Sequence, residues 1–287
     1  MNSFKTNLLT KFLAESKMRY TENHPLNKLT TYRVGGPARF FIQPNSFLQA
    51  EKLQAVLLEN EIPFFLLGGG SNILISDQGF LGTVIQFDFG EKPYLRKENG
   101  LNRVEIPASA RTGFLSKYLA KQSLTGMEYI STIPGHLGGA IVQNAGCYGY
   151  EIKDSLQEAI VVENGSITTY SNQECGFTYR DSIFKKKENL WILQGNFVLQ
   201  EGNPEAIARK MDEFKQKRLL TQPKNRRSAG SVFKNPKGQK AWQLISNAGL
   251  RGKKIGGAMV SEKHCNFIVN DGSATAMDIY RLAELVR

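Results

Sequence analysis

Four stretches of this chain combine residue types and spacing suited to chemistry. The longest is Ser131-Thr132-Ile133-Pro134-Gly135-His136-Leu137-Gly138-Gly139-Ala140, followed by Asn144-Ala145-Gly146; it carries no Asp, Glu, Lys or Arg. Glycine lets a backbone approach a ligand closely and take up positive φ, so such a run can offer N–H groups to a flat anionic ligand. Leu67-Gly68-Gly69-Gly70-Ser71-Asn72 is a second run of this kind. Ser231 lies in Ser228-Ala229-Gly230-Ser231-Val232-Phe233-Lys234-Asn235-Pro236, where Ala229 and Gly230 leave room for its hydroxyl to come close to a substrate. Arg180, in Gly176-Phe177-Thr178-Tyr179-Arg180-Asp181-Ser182, is permanently charged and presents a planar fork that suits a carboxylate. Each has a plain structural alternative: a tight turn for the glycines, a turn cap for Ser231, a surface ion pair with Asp181 for Arg180.

The glycine runs narrow the type of site. A Rossmann loop needs a helix directly after its glycines, so that the helix N-terminus meets the pyrophosphate. Asn72-Ile73-Leu74-Ile75-Ser76 reads as a strand instead, and no Gly-Lys-Ser/Thr follows to make a P-loop. Phosphates here have to be held by loop N–H groups without a helix dipole.

Several elements must position these residues. Residues 1–18 read as an amphipathic helix, with Phe4, Leu8, Phe12 and Leu13 at helical spacing. Thr31-Tyr32-Arg33-Val34-Gly35-Gly36-Pro37-Ala38 reads as a turn between short strands, the second over 39–43. A helix over 47–60 and strands over 64–67, 73–76 and 84–87 complete a β-α-β-β unit. A strand at 104–107, a helix at 112–122, strands near 159–162, 167–170 and 191–199, and a helix over 204–220 with Pro204 in its first turn follow. A helix at 241–248, a strand at 266–269 and a last helix at 275–286 end the chain. The expected division is a helical appendage (1–20), two α+β subdomains (21–85 and 86–203) and a C-terminal α+β domain (204–287).

Bulk properties limit the function classes. At 287 residues and 41% apolar, the chain has enough material for about two domains. It has no apolar run of membrane-spanning length and no signal-peptide pattern at its start, so a cytoplasmic protein is expected. Cys147, Cys175 and Cys265 have neither disulfide-framework nor zinc spacing, and no metal site is expected. The net charge of +11 suggests an anionic partner, yet no nucleic-acid-binding signature accompanies it. A phosphorylated small molecule fits that charge equally well.

Five motifs in order now make a specific pattern: Thr31–Ala38, Leu67–Asn72, 133–146, 228–236, and Ser261-Glu262-Lys263-His264-Cys265-Asn266-Phe267-Ile268-Val269-Asn270. Together they resemble the UDP-N-acetylenolpyruvoylglucosamine reductases (the MurB family), from about residue 26 to the last. The resemblance implies the FAD-binding fold of the vanillyl-alcohol oxidase/PCMH type, with a C-terminal substrate domain. It implies a bacterial, monomeric enzyme that reduces UDP-N-acetylglucosamine enolpyruvate with NADPH in peptidoglycan precursor synthesis. FAD, bound non-covalently, is expected at Gly68, Gly69, Gly70, Ser71, Asn72, Thr132, Pro134, Gly135, Gly138, Gly139, Asn144 and Gly146. His136 stands where relatives carry a small polar residue, which raises covalent flavin attachment as an alternative.

The resemblance also assigns roles. Hydride addition to an α,β-unsaturated carboxylate develops negative charge that must be held and then protonated. Arg180 is implied as the cation and Ser231 as the proton donor, with Tyr179, Arg218 and Asn235 contacting the UDP-sugar. Arg226 and Arg227 are basic where relatives are often neutral. The short segment between Arg180 and Ser231 resembles the subclass without an extra substrate-covering loop. The family's third catalytic group, a glutamate in a final strand, is matched by neither Glu262 nor Glu284. The expectation is a truncated end and a chain that binds FAD but turns over poorly. Two other readings are an oxidase on the same flavin fold and a non-catalytic nucleotide-sugar or nucleic-acid binder; oxygen reactivity and salt-dependent retention without flavin, respectively, distinguish them.

Overall fold

The computed structural model describes residues 3–223 and 227–287, so of the two basic residues Arg226 and Arg227 only Arg227 is described, and Arg226 lies outside the described residues. The chain forms two compact units. One comprises Met1–Thr21, Phe40–Gly69 and Gly82–Lys215; the other comprises Glu22–Arg39, Gly70–Leu81 and Gln216–Arg287.

A four-stranded sheet runs in the order Arg19–Pro25, Pro37–Gln43, Phe80–Ile85, Phe64–Leu66. Its last pair is parallel, with Phe64 opposite Thr83 and Leu66 opposite Ile85. The helix Phe47–Glu59 lies in sequence between the second and last of these strands. Ser46 caps it by accepting from the Gln49 amide at 3.2 Å, and Ala50, Leu53 and Leu57 bury one face. That face packs with Phe40, Ile42, Ile85 and Trp191, and Leu9 and Leu13 of the helix Ser3–Glu15 join the same core. The strand Arg19–Pro25 is a polar edge strand without the apolar alternation that marks a strand in sequence.

A larger antiparallel sheet follows, in the order Ser166–Ser171, Leu156–Glu163, Leu190–Glu201, Leu101–Pro107, Tyr94–Glu98. Two Asn-Gly turns set its hairpins. Asn99 and Gly100 have φ of +50° and +77°, and Asn164 and Gly165 have +51° and +74°, the values a two-residue turn of primed type requires. The short helix Leu137–Val142 rests on the long central strand at Gly195. A Cβ there would lie 2.8 Å from Ile141 Cδ1, so the glycine leaves room for the helix's side chains on the strand. Ile141, Leu137, Tyr129, Val104, Ile106 and Phe197 share the resulting core.

In the second unit, strands Lys254–Ile255, Ala258–Val260 and Ile268–Asn270 form a small antiparallel sheet. The helix Ala276–Val286 lays Ala276, Ile279 and Leu282 into a core with Ala258, Val260 and Ile268. Its N-terminus is capped twice. Thr275 and Asp278 form a capping box, and the Asp77 carboxylate accepts from the amides of Ala276 (2.9 Å) and Met277 (3.2 Å).

One expected strand is absent: residues 73–76 do not pair in a sheet. The Ser76 carbonyl instead accepts from the amides of Gly36 (2.8 Å) and Gly79 (2.9 Å), so its hydrogen bonding goes into a turn. The exclusion of a Rossmann loop is unaffected, because no helix follows Gly70 either. Among the described residues, no helix is long and apolar enough to cross a membrane.

Candidate active site

The two glycine runs meet. In the first unit, Gly69 lies against the backbone of Gly135: a Cβ on Gly69 would sit 2.7 Å from Gly135 Cα and 3.3 Å from His136 Cδ2. Only a residue without a side chain permits this approach. The second loop is braced from behind. Gly135 O accepts from the Thr112 amide (3.0 Å) and from Thr112 Oγ1 (3.1 Å), which also donates to Ile133 O. The amides of Leu137 and Gly138 each donate at 2.9 Å, to Ala110 O and Ala108 O respectively. A Cβ on Gly138 would crowd Ala108 at 3.0 Å, so this glycine serves the packing of the loop. Gln86 Nε2 holds the first loop by donating to Gly68 O at 2.8 Å.

This arrangement leaves donors to spare. The amides of Gly68, Gly69, Gly135 and His136 donate to no acceptor among the described residues. Pro134 and Gly139 are exposed, and a Cβ on Gly139 would meet nothing within 4 Å. Two adjacent uncharged loops with unspent N–H groups fit an anionic pyrophosphate. The six-residue helix Leu137–Val142 in the second run was not expected from sequence; it opens directly after His136. Burial holds His136 below the usual histidine value, with Glu91 opposing and Arg111 adding to the shift, so the imidazole is neutral at pH 7.

In the second unit, the remaining part of the first run is fixed separately. Gly70 has φ +62°, and a Cβ there would lie 1.9 Å from Leu29 O. Its carbonyl accepts from Thr31 N (2.9 Å) and Thr31 Oγ1 (3.2 Å). The Thr31–Ala38 motif is thus the partner of the glycine turn. Ser71 is half-buried and Asn72 exposed.

Arg180 is tied to the end of the second run. Thr178 and Asp181 exchange backbone hydrogen bonds (3.1 and 3.2 Å), making Tyr179-Arg180 the tip of a tight turn in which Arg180 has φ +55°. Its guanidinium donates through Nη1 to Asn144 O (3.3 Å) and Glu151 Oε1 (3.4 Å), and through Nη2 to Gly146 O. It lies over the Tyr179 ring at 5.1 Å. The ion pair with Asp181, the structural alternative for Arg180, does not form; Asp181 lies 3.9 Å from Lys186 Nζ. Five N–H donors minus these three leave the Nε–H and one Nη2–H without an acceptor among the described residues.

Asn144 is the hub of this corner. Fully buried, with φ +41°, it donates from Nδ2 to Glu151 Oε2 (3.1 Å) and Thr178 O (3.0 Å) and accepts from the Lys153 amide (3.1 Å). Gly146 pairs with Glu151 across a hairpin, Gly146–Cys147 against Tyr150–Glu151, and a Cβ on Gly146 would lie 2.2 Å from Tyr150 O. Thr132 is buried, its hydroxyl donating to Tyr129 O at 2.9 Å. Glu151 was missed from sequence, although the turn at Tyr148-Gly149, with φ of +57° and +89°, marks the hairpin that delivers it.

Ser231, Asn235 and Arg218 belong to the second unit. Ser231 is exposed and bridges Phe267; the neighbouring Val232 amide donates to Asn266 O at 2.9 Å. The Asn266 side chain clamps Phe233 on both sides, accepting from its amide (2.9 Å) and donating to its carbonyl (2.8 Å). Asn235 Oδ1 accepts from the Ala241 amide at 3.0 Å, at the start of the helix Ala241–Asn247. Arg218 is half-buried on the helix Pro204–Thr221. Arg227 is exposed, its Nη1 3.4 Å from Gly272 O.

Comparison with known proteins decides the family. Residues 222–287 match the model of the UDP-N-acetylenolpyruvoylglucosamine reductase C-terminal domain, and residues 38–171 match an FAD binding domain. The chain is 44% identical to the UDP-N-acetylenolpyruvoylglucosamine reductase of Carboxydothermus hydrogenoformans, over 93% of this chain and 87% of that one. The chain belongs to this reductase family. Its relative in Lachnoclostridium phytofermentans is 41% identical over 95% of this chain and 88% of that one. The crystal structure of the reductase (MurB) from Thermus caldophilus aligns with a TM-score of 0.81 at 34% identity, covering 94% of both chains. A more distant likeness, to p-cresol methylhydroxylase, has a TM-score of 0.51 at 15% identity over 71% of this chain and 45% of that one, and bears on the fold alone. The chain is therefore a flavin-dependent oxidoreductase with FAD as its cofactor, on the α+β fold expected from sequence.

Proposed function

We propose that this chain reduces UDP-N-acetylglucosamine enolpyruvate to UDP-N-acetylmuramate, with NADPH as the source of electrons, in bacterial peptidoglycan precursor synthesis. The observation that carries the reading is the contact between Gly69 and Gly135, with Arg180 fixed to the end of the same run. FAD, when bound, would supply the hydride for the terminal carbon of the enolpyruvyl group. The amides of Gly68, Gly69, Gly135 and His136 hold the cofactor's pyrophosphate, with Gly70, Ser71, Asn72, Thr132, Pro134, Gly138, Gly139, Asn144 and Gly146 shaping the surrounding loops. The two unspent N–H groups of Arg180 donate to the substrate carboxylate as a parallel pair, the geometry in which arginine binds carboxylates best. Charge that builds on the carboxylate and adjacent carbon is held there. The Ser231 hydroxyl then delivers one proton to that carbon, which balances the added hydride. Tyr179, Arg218 and Asn235 contact the UDP-sugar.

The domain roles follow: 21–85 and 86–203 hold FAD and 204–287 holds the sugar nucleotide, while Leu9 and Leu13 of the segment 1–20 pack into the core. The protein acts in the cytoplasm as a monomer. The test is spectroscopic. Purified protein is expected to be yellow, to bleach with NADPH, and to regain its colour on anaerobic addition of the enolpyruvyl sugar nucleotide. Protein that bleaches but recovers only with oxygen would make it an oxidase and overturn the reading.

A further inference from the structure

Arg180 is held on one side by three acceptors, and only one of them is charged. Asn144 O and Gly146 O are carbonyls of the glycine run; the third is Glu151 Oε1. Glu151 is also the carboxylate that orders Asn144, accepting from its Nδ2 at 3.1 Å, and Asn144 in turn holds the carbonyl of Thr178 at the base of the Arg180 turn. The same carboxylate thus fixes the guanidinium directly and the turn that carries it through one buried amide. Lys153 Nζ, 3.1 Å from Glu151 Oε2, adds a second cation to the carboxylate. The Glu151 and Arg180 side chains are only 22% and 26% exposed, so the pair is partly shielded from water. Gly146 is the condition for this placement, because a Cβ there would also lie 2.8 Å from Glu151 Cγ.

We propose that Glu151 is the positioning residue for Arg180, aiming its two unspent N–H groups at the substrate carboxylate. The proposal rests on the carboxylate-binding role given to Arg180 above. An arginine side chain has considerable rotamer freedom, and a ligand that must first order it binds more weakly. With Glu151 present, that ordering is complete before the ligand arrives. Without it, Nη1 keeps only a carbonyl, Asn144 Nδ2 loses one of its two acceptors, and the turn at 178–181 is less firmly held.

The test compares two ligands on the full chain with FAD bound: the enolpyruvyl sugar nucleotide, and UDP-N-acetylglucosamine, which lacks the carboxylate. Glu151→Ala is expected to weaken equilibrium binding of the first by about 10-fold or more, the scale of a misplaced contact. Binding of the second and the FAD content are expected to stay at wild-type levels. Glu151→Gln, which preserves shape, is expected to show the same selective loss in smaller measure, and it decides the matter if Glu151→Ala does not fold. On an Arg180→Ala background, Glu151→Ala is expected to add nothing. Equal weakening of both ligands, no weakening of either, or full additivity with Arg180→Ala would overturn the positioning role. Wild-type protein that binds both ligands alike would overturn the carboxylate-binding role of Arg180 itself.

Discussion

Gly69→Ala tests the glycine contact at its tightest point. The new Cβ would lie 2.7 Å from Gly135 Cα and 3.1 Å from Gly135 C. Carbon atoms rest at about 3.5–4.0 Å, so the two loops must separate by roughly 1 Å. The obstacle is backbone, which cannot rotate away as a side-chain tip can. Overpacking of this kind costs about 1–3 kcal/mol. If that falls on the arrangement that binds FAD, affinity drops about 5- to 150-fold at 1.4 kcal/mol per decade. The comparison variant is Gly139→Ala, where the added carbon meets nothing within 4 Å of the protein. Within a helix, alanine is favoured over glycine by about 1 kcal/mol, so its folded state is at least as stable as wild type. Any loss of flavin by Gly139→Ala then comes from the ligand side alone. The assay is flavin retained through gel filtration, with Kd from fluorescence quenching and the thermal midpoint of the apoprotein read in parallel. Wild-type FAD affinity in both variants would refute the reasoning, because it would mean that FAD does not use these loops.

Ser231→Ala is expected to slow flavin reoxidation by substrate by about 100-fold or more while leaving reduction by NADPH unchanged, checked by stopped-flow absorbance of each half-reaction; equal slowing of both would remove Ser231 from proton delivery. Asp77→Ala leaves the amides of Ala276 and Met277 without their carboxylate, and should lower unfolding stability by about 1 kcal/mol in urea titration. Glu128 is buried, which raises its pKa, but hydrogen bonds from Thr125, its own amide and Gly126, together with the Lys210 charge, hold it below the ordinary value of 4.5. Its contribution to stability is therefore complete above pH 4.5 and is lost as pH falls through the lower folded value. Glu128→Gln should cost about 1–3 kcal/mol at pH 7, and the gap to wild type should narrow below pH 4.5 in denaturant titrations at each pH. The flavin is expected to be dissociable, so acid precipitation should release all of it into the supernatant; flavin kept in the pellet would point to attachment at His136.

The close approach of the two glycine runs was legible in sequence, because two backbone segments this near each other leave a mark that only glycine satisfies. Gly69 against Gly135 and Gly70 beneath Leu29 are instances where no other residue fits. Helix starts were legible as well: the helices read from 47 and 275 begin within a residue of where Ser46 and Thr275 cap the orphan amides. The polar strand Arg19–Pro25 escaped because an edge strand need not alternate, and the hairpin at Asn99-Gly100 escaped although its turn signal was present. The partners of Arg180 were not legible in sequence for a different reason. Asp181 is adjacent in sequence, but Arg180 sits at the tip of a turn with positive φ, and its side chain goes to acceptors 29 to 36 residues away in the chain. Nothing local to Tyr179-Arg180-Asp181 encodes that choice. It depends on the Asn144–Glu151 segment folding back on itself, which depends in turn on Gly146 having no side chain. The glycine in the Asn-Ala-Gly motif, read from sequence as part of a cofactor loop, has a structural use that the reading did not foresee: it admits the carboxylate that meets Arg180. A motif can be preserved in the chain for the approach it permits as much as for the ligand it touches, and Gly146→Ala should accordingly disturb Arg180 before it disturbs FAD.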